Sequence, residues 1–260
     1  MYIQMVLFVC LIPNRGARIG HQTHEHYCLV ALCKKYGYHF VHHPFVCNSK
    51  QWNDVLRFDT LHTYQYEDVK HFKTISIQDV SDCSLQDIHK EPENIVLFDH
   101  ICRNEHFFRN ITQGLHDIFH QVRMEYRSRL KNSFPKMVTG DYICIHIRYG
   151  DVANDTSRVL DSTYFTNRYT HLIDTHKELG TLPVYIVTER NFQDHAILTK
   201  AIPSCIFVQG DEIEAFLYLV NCTYLLASRS GFSNLAYVLG GMKVLRPPCD
   251  WNVYWDNVLE

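Results

Sequence analysis

The sequence predicts an α/β protein built on doubly wound parallel sheets, on three observations. The second half of the chain alternates short apolar runs with amphipathic stretches, and one of those runs, Tyr142-Ile-Cys-Ile145, is apolar on both faces. The first apolar run, near the N-terminus, opens into a glycine-containing loop followed by a helical pattern. A strand apolar on both faces belongs to a parallel sheet, because crossover connections place helices over both sides. Repeated strand–helix units with right-handed crossovers leave few other topologies.

Residues 2–12 read as a first strand. Residues 1–12 are apolar but carry neither a basic leading segment nor a small-residue cleavage site, so they are not read as a secretory signal. The loop Pro13-Asn-Arg-Gly-Ala-Arg-Ile-Gly20 follows, then a helix through Lys35 and a turn at Gly37 into a strand over 38–41. Residues 43–93 are polar and aromatic without clean periodicity; they are expected as irregular excursions around an acceptor site or as short strands of undetermined phase. A strand at 95–98 precedes a long helix over 103–131, which ends near Pro135 because proline cannot continue it.

Two Rossmann-like halves, 1–136 and 137–260, are expected to meet near 132–140. The second carries the 142–148 strand, a helix over 162–177, a strand at 182–188, and a short helix over 192–200. A strand at 206–208 leads to a helix over 211–221 with acidic residues in its first turn, which favours the helix dipole. A strand at 224–227, a helix over 233–239 and a strand at 243–245 complete the chain.

With 260 residues, 46% of them hydrophobic, the chain can bury one large core or two small ones. A formal charge of −3 offers no broad basic field, so a nucleic-acid partner is excluded and arginines must act locally. No run approaches the roughly 20 apolar residues of a membrane span. Of the ten cysteines, Cys10, Cys28, Cys33, Cys144, Cys205 and Cys222 lie in apolar runs and none forms a C-x-x-C pair. That usage suits buried thiols in a cytoplasmic or otherwise reduced compartment, ahead of the lumenal domain of a truncated Golgi or ER enzyme. Three N-x-S/T sequons, at Asn110, Asn154 and Asn221, are read as chance matches, since Asn221 falls at a helix end. No motif specifies an oligomeric state.

The chemistry gathers at strand ends. His146 and Arg148 are two apart, so they share a face at the carboxyl end of the 142–148 strand, where open α/β sheets bind ligands. A guanidinium fork there suits a phosphate, although Arg148 pairing with a carboxylate such as Asp151 would be the plainer role. The run Ala227-Ser-Arg-Ser-Gly-Phe-Ser-Asn234 stands between a strand and a helix, so Ser230, Gly231 and Ser233 place hydroxyls and free amides at a helix N-terminus, a natural anion site. Either serine alone would be read as a cap. In the loop after the first strand, Gly16 and Gly20 allow close backbone approach and Arg15 and Arg18 can reach a phosphate or sugar. There is no G-K-[ST] and no G-x-G-x-x-G, which removes support for ATPase and dehydrogenase readings. The cluster His21, His24, Glu25, His26 and Cys28 matches neither H-E-x-x-H nor H-x-x-E-H, so no metal site is expected.

These segments together resemble one group of enzymes. Gly16-Ala-Arg-Ile-Gly-His-Gln22 with Lys34-Lys-Tyr-Gly-Tyr38 is similar to the "G-x-R-x-G-N-Q … A-K-K-x-G-Y" opening of the fucosyltransferases that include the α1,2-, α1,6- and protein O-fucosyltransferases. His146-Ile-Arg-Tyr-Gly-Asp151 resembles their "H-x-R-R-G-D", Tyr185-Ile-Val-Thr-Glu189 their "Y-x-x-T-D", and Ser228-Arg-Ser-Gly-Phe-Ser233 their "S-x-S-S-F-S". Order and spacing match over most of the chain, with no match across 43–135.

The resemblance implies a GT-B-like fold with two Rossmann-like halves whose parallel sheets face a central cleft, the nucleotide-sugar donor on the C-terminal half and the acceptor on the N-terminal half. It implies inversion without a divalent cation, and no cofactor beyond the GDP- or UDP-linked co-substrate. By position, Arg148 would hold the diphosphate with Ser230, Gly231, Phe232 and Ser233, His146 would lie near the ribose or base, and Arg18 would position donor and leaving group. Thr188, Glu189 and Ser228 fall in the matched motifs and join the donor-binding candidates. His21 stands where the family has asparagine, Tyr149 where it has a second arginine, and Gly231 where it has serine; each alters the donor pocket.

Inversion needs a base on the acceptor hydroxyl, ranked Glu25, then His21, then Asp151, and charge stabilisation on the leaving diphosphate by Arg148. Each base has a plainer reading: a solvated helix residue, a hydrogen-bond donor to sugar, and a loop-capping carboxylate. The expected function is transfer of fucose from GDP-fucose to a hydroxyl of a glycan or glycoprotein. Alternatives are the same chemistry with UDP-xylose or another GDP-sugar, a non-catalytic glycan-binding relative, and a His-rich metallohydrolase.

Overall fold

In the computed structural model, residues 8–13, 17–47, 51–77, 94–99, 105–152, 154–155, 159–189 and 194–245 are described. The expected positions 2–7, Asn14, Arg15, Gly16, 103–104 and 192–193 lie outside them. The chain divides into two compact units, Met1–Tyr126 and Arg127–Glu260.

In the first unit β1 (Phe8–Ile12) leads to α1 (Ile19–Tyr36) and β2 (His39–His42). Gly37 ends α1 because only glycine takes its φ of +70° cheaply, and the amide of Tyr38 then bonds back to the Cys33 carbonyl at 2.9 Å. The stretch without sequence periodicity contains α2 (Gln51–Leu56), a tight helical turn at Phe58–Leu61, β3 (Tyr64–Gln65), α3 (Tyr66–Val69) and β4 (Lys73–Ile77). Of the 43–93 stretch, 48–50 and 78–93 lie outside the described residues; the rest holds short strands and short helices, and β3 is too short to leave a periodic trace. β5 (Asn94–Asp99) and α4 (Glu105–Leu130) follow. The strands form one parallel sheet in the order β3-β2-β1-β5-β4, so the chain reaches the far edge before it returns beside β1. Trp52, Leu56 and Phe58 are fully buried and anchor the segment between β2 and β3.

The second unit contains β6 (Ile143–Ile147), α5 (Ser162–Thr175), β7 (Val184–Thr188), α6 (His195–Ala201), β8 (Cys205–Phe207), α7 (Glu212–Asn221), β9 (Tyr224–Leu226), α8 (Gly231–Gly240) and β10 (Lys243–Leu245). Their parallel order is β10-β9-β6-β7-β8. Every residue of β6 is buried, as a central strand covered on both faces requires. Ile143, Ile145, Ile147, Phe165, Val184 and Ile186 form its core, each worth about 1.5–3 kcal/mol of burial.

The sequence places the boundary at 136/137, whereas the units divide after Tyr126, inside α4. The reason is local: Arg127 Nε donates to the Val238 carbonyl at 2.9 Å and its Nη2 to that of Tyr237 at 3.2 Å, so the last turn of α4 belongs with α8. The amide of Asn221 donates to the carbonyls of Pro135 and Leu217, at 2.8 and 2.9 Å. The described cysteines are free thiols, with Cys205 and Cys47 half-buried and the other five buried.

Candidate functional site

In the second unit the chain proceeds from β6 outward through β7 to β8 and then restarts on the other side with β9 and β10, so β6 and β9 flank the topological switch point. Ligands in open α/β sheets bind outside the carboxyl ends of such strands. The register sets Ile147 beside Thr188 and Ile145 beside Leu226, so the residues that follow these strands emerge together.

His146 is buried, and its Nδ1 faces two hydroxyls: Ser228 Oγ at 3.0 Å and Ser233 Oγ closer still. A ring nitrogen flanked by two hydroxyl donors is assigned as acceptor, which leaves the proton on Nε2. Burial, followed by the Arg148 charge, pushes its pKa down to about 3. His146 is thus a neutral bracket that fixes the first turn of α8 to the end of β6.

Ser230 is the N-cap of α8: its Oγ accepts from the Phe232 amide at 3.1 Å. Arg148 Nη1 donates to the same oxygen at 3.5 Å, so a half-buried guanidinium stands at the positive end of a ten-residue helix. A guanidinium fork beside a helix N-terminus is an arrangement that suits a diphosphate. The plainer role of Ser230 as a cap is real and coexists with the Arg148 contact. The side chain of Asp151 lies outside the described residues.

Glu189 accepts from the Tyr149 amide at 2.9 Å and packs over Gly150, where an added Cβ would meet its Cγ at 3.0 Å. It braces the loop after β6. Thr188 Oγ1 and Asn234 Oδ1 are buried at this end with no hydrogen-bond partner. Such atoms are costly, and they commonly mark a place where a ligand completes the set.

The first unit holds the other candidates. Arg18 is the exposed N-cap residue of α1, and its carbonyl accepts from His21 and Gln22 amides at 3.0 and 3.2 Å. Glu25 is fully buried, neither carboxylate oxygen has a hydrogen bond, and Oε1 lies 3.4 Å from Nε2 of the half-exposed His21. Gln22, singled out only as part of a motif, ties two loops: its Nε2 donates to Ala17 and its Oε1 accepts from the Val46 amide.

Of the local His-rich cluster, His26 is buried among the rings of Phe40, Phe58 and Tyr126. Its Nε2 lies 3.2 Å from His62 Nε2 and 2.7 Å from Tyr126 Oη, which is itself 2.6 Å from His62 Nε2. His42 stacks on His62 at 5.8 Å. Burial holds the pKa of His26 well below its ordinary value and that of His42 down to about 4. Sequence reasoning missed His42, His62 and Tyr126 because they converge from three separate elements; the only signal was the count of 17 histidines.

No family model matches the sequence, and no curated protein matches it. Solved structures do match. The apo form of POFUT1 is similar with a TM-score of 0.52 at 8% identity, over 96% of this chain and 100% of that one. E. coli heptosyltransferase WaaC with ADP-2-deoxy-2-fluoro heptose is similar with a TM-score of 0.51 at 8% identity, over 98% of this chain and 92% of that one. The fold is accordingly that of the GT-B glycosyltransferases, an α/β architecture with two Rossmann-like halves.

Proposed function

We propose that the chain is an inverting glycosyltransferase that takes a nucleotide-sugar donor on its C-terminal unit and transfers the sugar to a hydroxyl of a glycan or glycoprotein. The observation that carries this reading is the Arg148–Ser230 contact at the N-terminus of α8, at the switch point of a GT-B fold. Arg148 and the first amides of α8 neutralise the departing diphosphate, the kind of preorganised electrostatics worth about 3–4 kcal/mol per donor. Because that charge is met by protein groups, the donor binds without a divalent cation. His146 and Ser233 hold the helix in place, Ser228 completes that bracket, and Thr188 offers its buried hydroxyl to the ligand. Glu25 is the first candidate for the general base, His21 the second and Asp151 the third. The motif matches favour GDP-fucose. Tyr149, in place of a second arginine, supports the second reading, a different base or sugar such as UDP-xylose or another GDP-sugar.

Thermal unfolding with GDP, UDP and ADP, each with and without Mg²⁺ or Mn²⁺, tests donor class directly. A ligand at 100 times its Kd stabilises by about 2.7 kcal/mol. GDP is expected to raise Tm equally with and without cation, and slow release of GDP from GDP-fucose is expected to follow. Stabilisation by UDP alone would remove the fucose assignment. Binding without turnover of any donor would leave a glycan-binding relative.

A further inference from the structure

We propose that His26, His42 and His62 bind a single borderline divalent metal ion, with zinc as the reference, and that the Tyr126 hydroxyl supplies the fourth ligand. One ring nitrogen from each of the three histidines lies within 4.8 Å of the other two. They come from α1, from β2 and from the residue that closes the Phe58–Leu61 turn, while Tyr126 comes from α4. In a tetrahedral site with Zn–N of about 2.0–2.1 Å, neighbouring ligand atoms stand about 3.3 Å apart. The His26 and His62 Nε2 atoms, 3.2 Å apart, already have that spacing, while Tyr126 Oη, 2.7 and 2.6 Å from them, stands at hydrogen-bond distance and has to draw back as the ion enters. Imidazole nitrogens with no thiolate among them suit zinc, copper, nickel or iron.

The alternative to a metal is a hydrogen-bonded relay in which one Nε2–H donates to Tyr126 Oη and that hydroxyl donates to the other Nε2. A relay of this kind satisfies His26, Tyr126 and His62 but leaves His42 Nδ1 buried with no hydrogen-bond partner. A metal ion explains why a third histidine stands against the pair. His42 also lines a hollow of about 330 Å³ together with Asn53, Arg57, Asp59, Thr60 and Gln65, which gives an ion a way in. Binding would tie α1, β2 and the 58–62 turn to α4, in the stretch where β3 has only two residues to hold it. Its free energy would therefore enter folding. If Tyr126 binds as phenolate, one proton leaves to solvent. None of these residues belongs to the donor arrangement around Arg148, so either proposal can fail without the other.

The test uses the whole chain, purified without a histidine tag, with its metal content measured by mass spectrometry. About one equivalent of metal per chain is expected in the wild type and in the surface control His171→Ala, and under about one tenth in His42→Ala and His62→Ala. Tyr126→Phe should weaken retention roughly 10–100-fold. The cobalt(II)-loaded protein should show the visible bands of a four-coordinate site. His62→Cys, which keeps a ligand, should retain cobalt and add a thiolate-to-cobalt band, so the site stays testable if the alanine variants do not fold. Wild-type protein that holds under about one tenth of an equivalent after incubation with Zn²⁺, and shows no cobalt bands, would overturn the proposal.

Discussion

The two units use the same five-stranded parallel sheet, yet their buried polar side chains find partners in different ways. At the end of β6 the partners are few and belong to one neighbouring segment: Ser228, Ser230 and Ser233 meet both His146 and Arg148. Along α1 they are scattered: His26 reaches His62 and Tyr126, Gln22 reaches Val46, and Glu25 has no hydrogen bond at all. Strand order differs in the same sense. The second sheet steps outward from β6 on both sides, whereas the first returns inward from β4 to β5. A regular doubly wound sheet brings one loop after each strand to a single point, so the C-terminal site is built from βα turns. The N-terminal polar groups are instead held by tertiary packing.

The largest expected effect breaks that contrast at its strongest point. Arg148→Ala should lower donor turnover by about 10²–10³-fold and abolish the GDP-induced rise in Tm, while the half-buried position keeps the fold intact. Equal turnover in the variant would make Arg148 an ordinary loop arginine. Next is Arg127→Met, which removes two bonds to the carbonyl end of α8 and a cation–π contact with Tyr237 at 5.3 Å. Unfolding in urea should show a loss of roughly 2–3 kcal/mol, with methionine recovering part of the packing. No loss would mean that the C-terminal end of α8 needs no such partner.

Glu25→Gln is expected to act in opposite directions on stability and on chemistry. Replacing a fully buried carboxyl group that holds no hydrogen bond, and whose nearest charged neighbour is His21 at 3.4 Å, should raise stability by about 1 kcal/mol, or roughly 2–4 °C in Tm, because an isosteric amide is less costly to bury. Turnover should fall by roughly 10²-fold or more if Glu25 is the base. A lower Tm would show that the carboxylate is paired in solution, and would return it to a structural role.

Legibility followed the same division. The elements from β6 to β10 could be read to within a few residues, because each strand is a local apolar run bounded by a cap or glycine. Ser230 read both as an N-cap and as an anion ligand, since both roles follow from helix ends. The stretch from α2 to β4 was not readable: Trp52, Leu56 and Phe58 anchor it by burial, and neither helical nor strand period survives in segments of two to six residues. The unit boundary moved to Tyr126 for the same reason, since the contacts of Arg127 with α8 skip over a hundred residues of sequence. His42 and His62 could be counted but not paired. No spacing rule relates a helix, a strand and a turn.

The smallest expected effect tests whether burial, with the Arg148 charge beside it, holds His146 neutral. Its folded pKa of about 3 lies below the ordinary 6.5, so above pH 6.5 both states are uncharged and the residue contributes nothing to pH dependence. Between 6.5 and 3 the unfolded chain takes up a proton that the folded chain refuses, so stability falls as pH falls, by at most about 1.4 kcal/mol per unit. His146→Asn offers an amide oxygen to Ser228 and Ser233 and cannot titrate. Its stability difference between pH 7.5 and 5.5 should be smaller than that of the wild type by about 1 kcal/mol, measured as the change in unfolding midpoint at each pH. An unchanged difference would mean that His146 protonates in the folded state. The end of β6 would then carry two positive groups beside α8 instead of one, and the neutral bracket on which the local site depends would be lost.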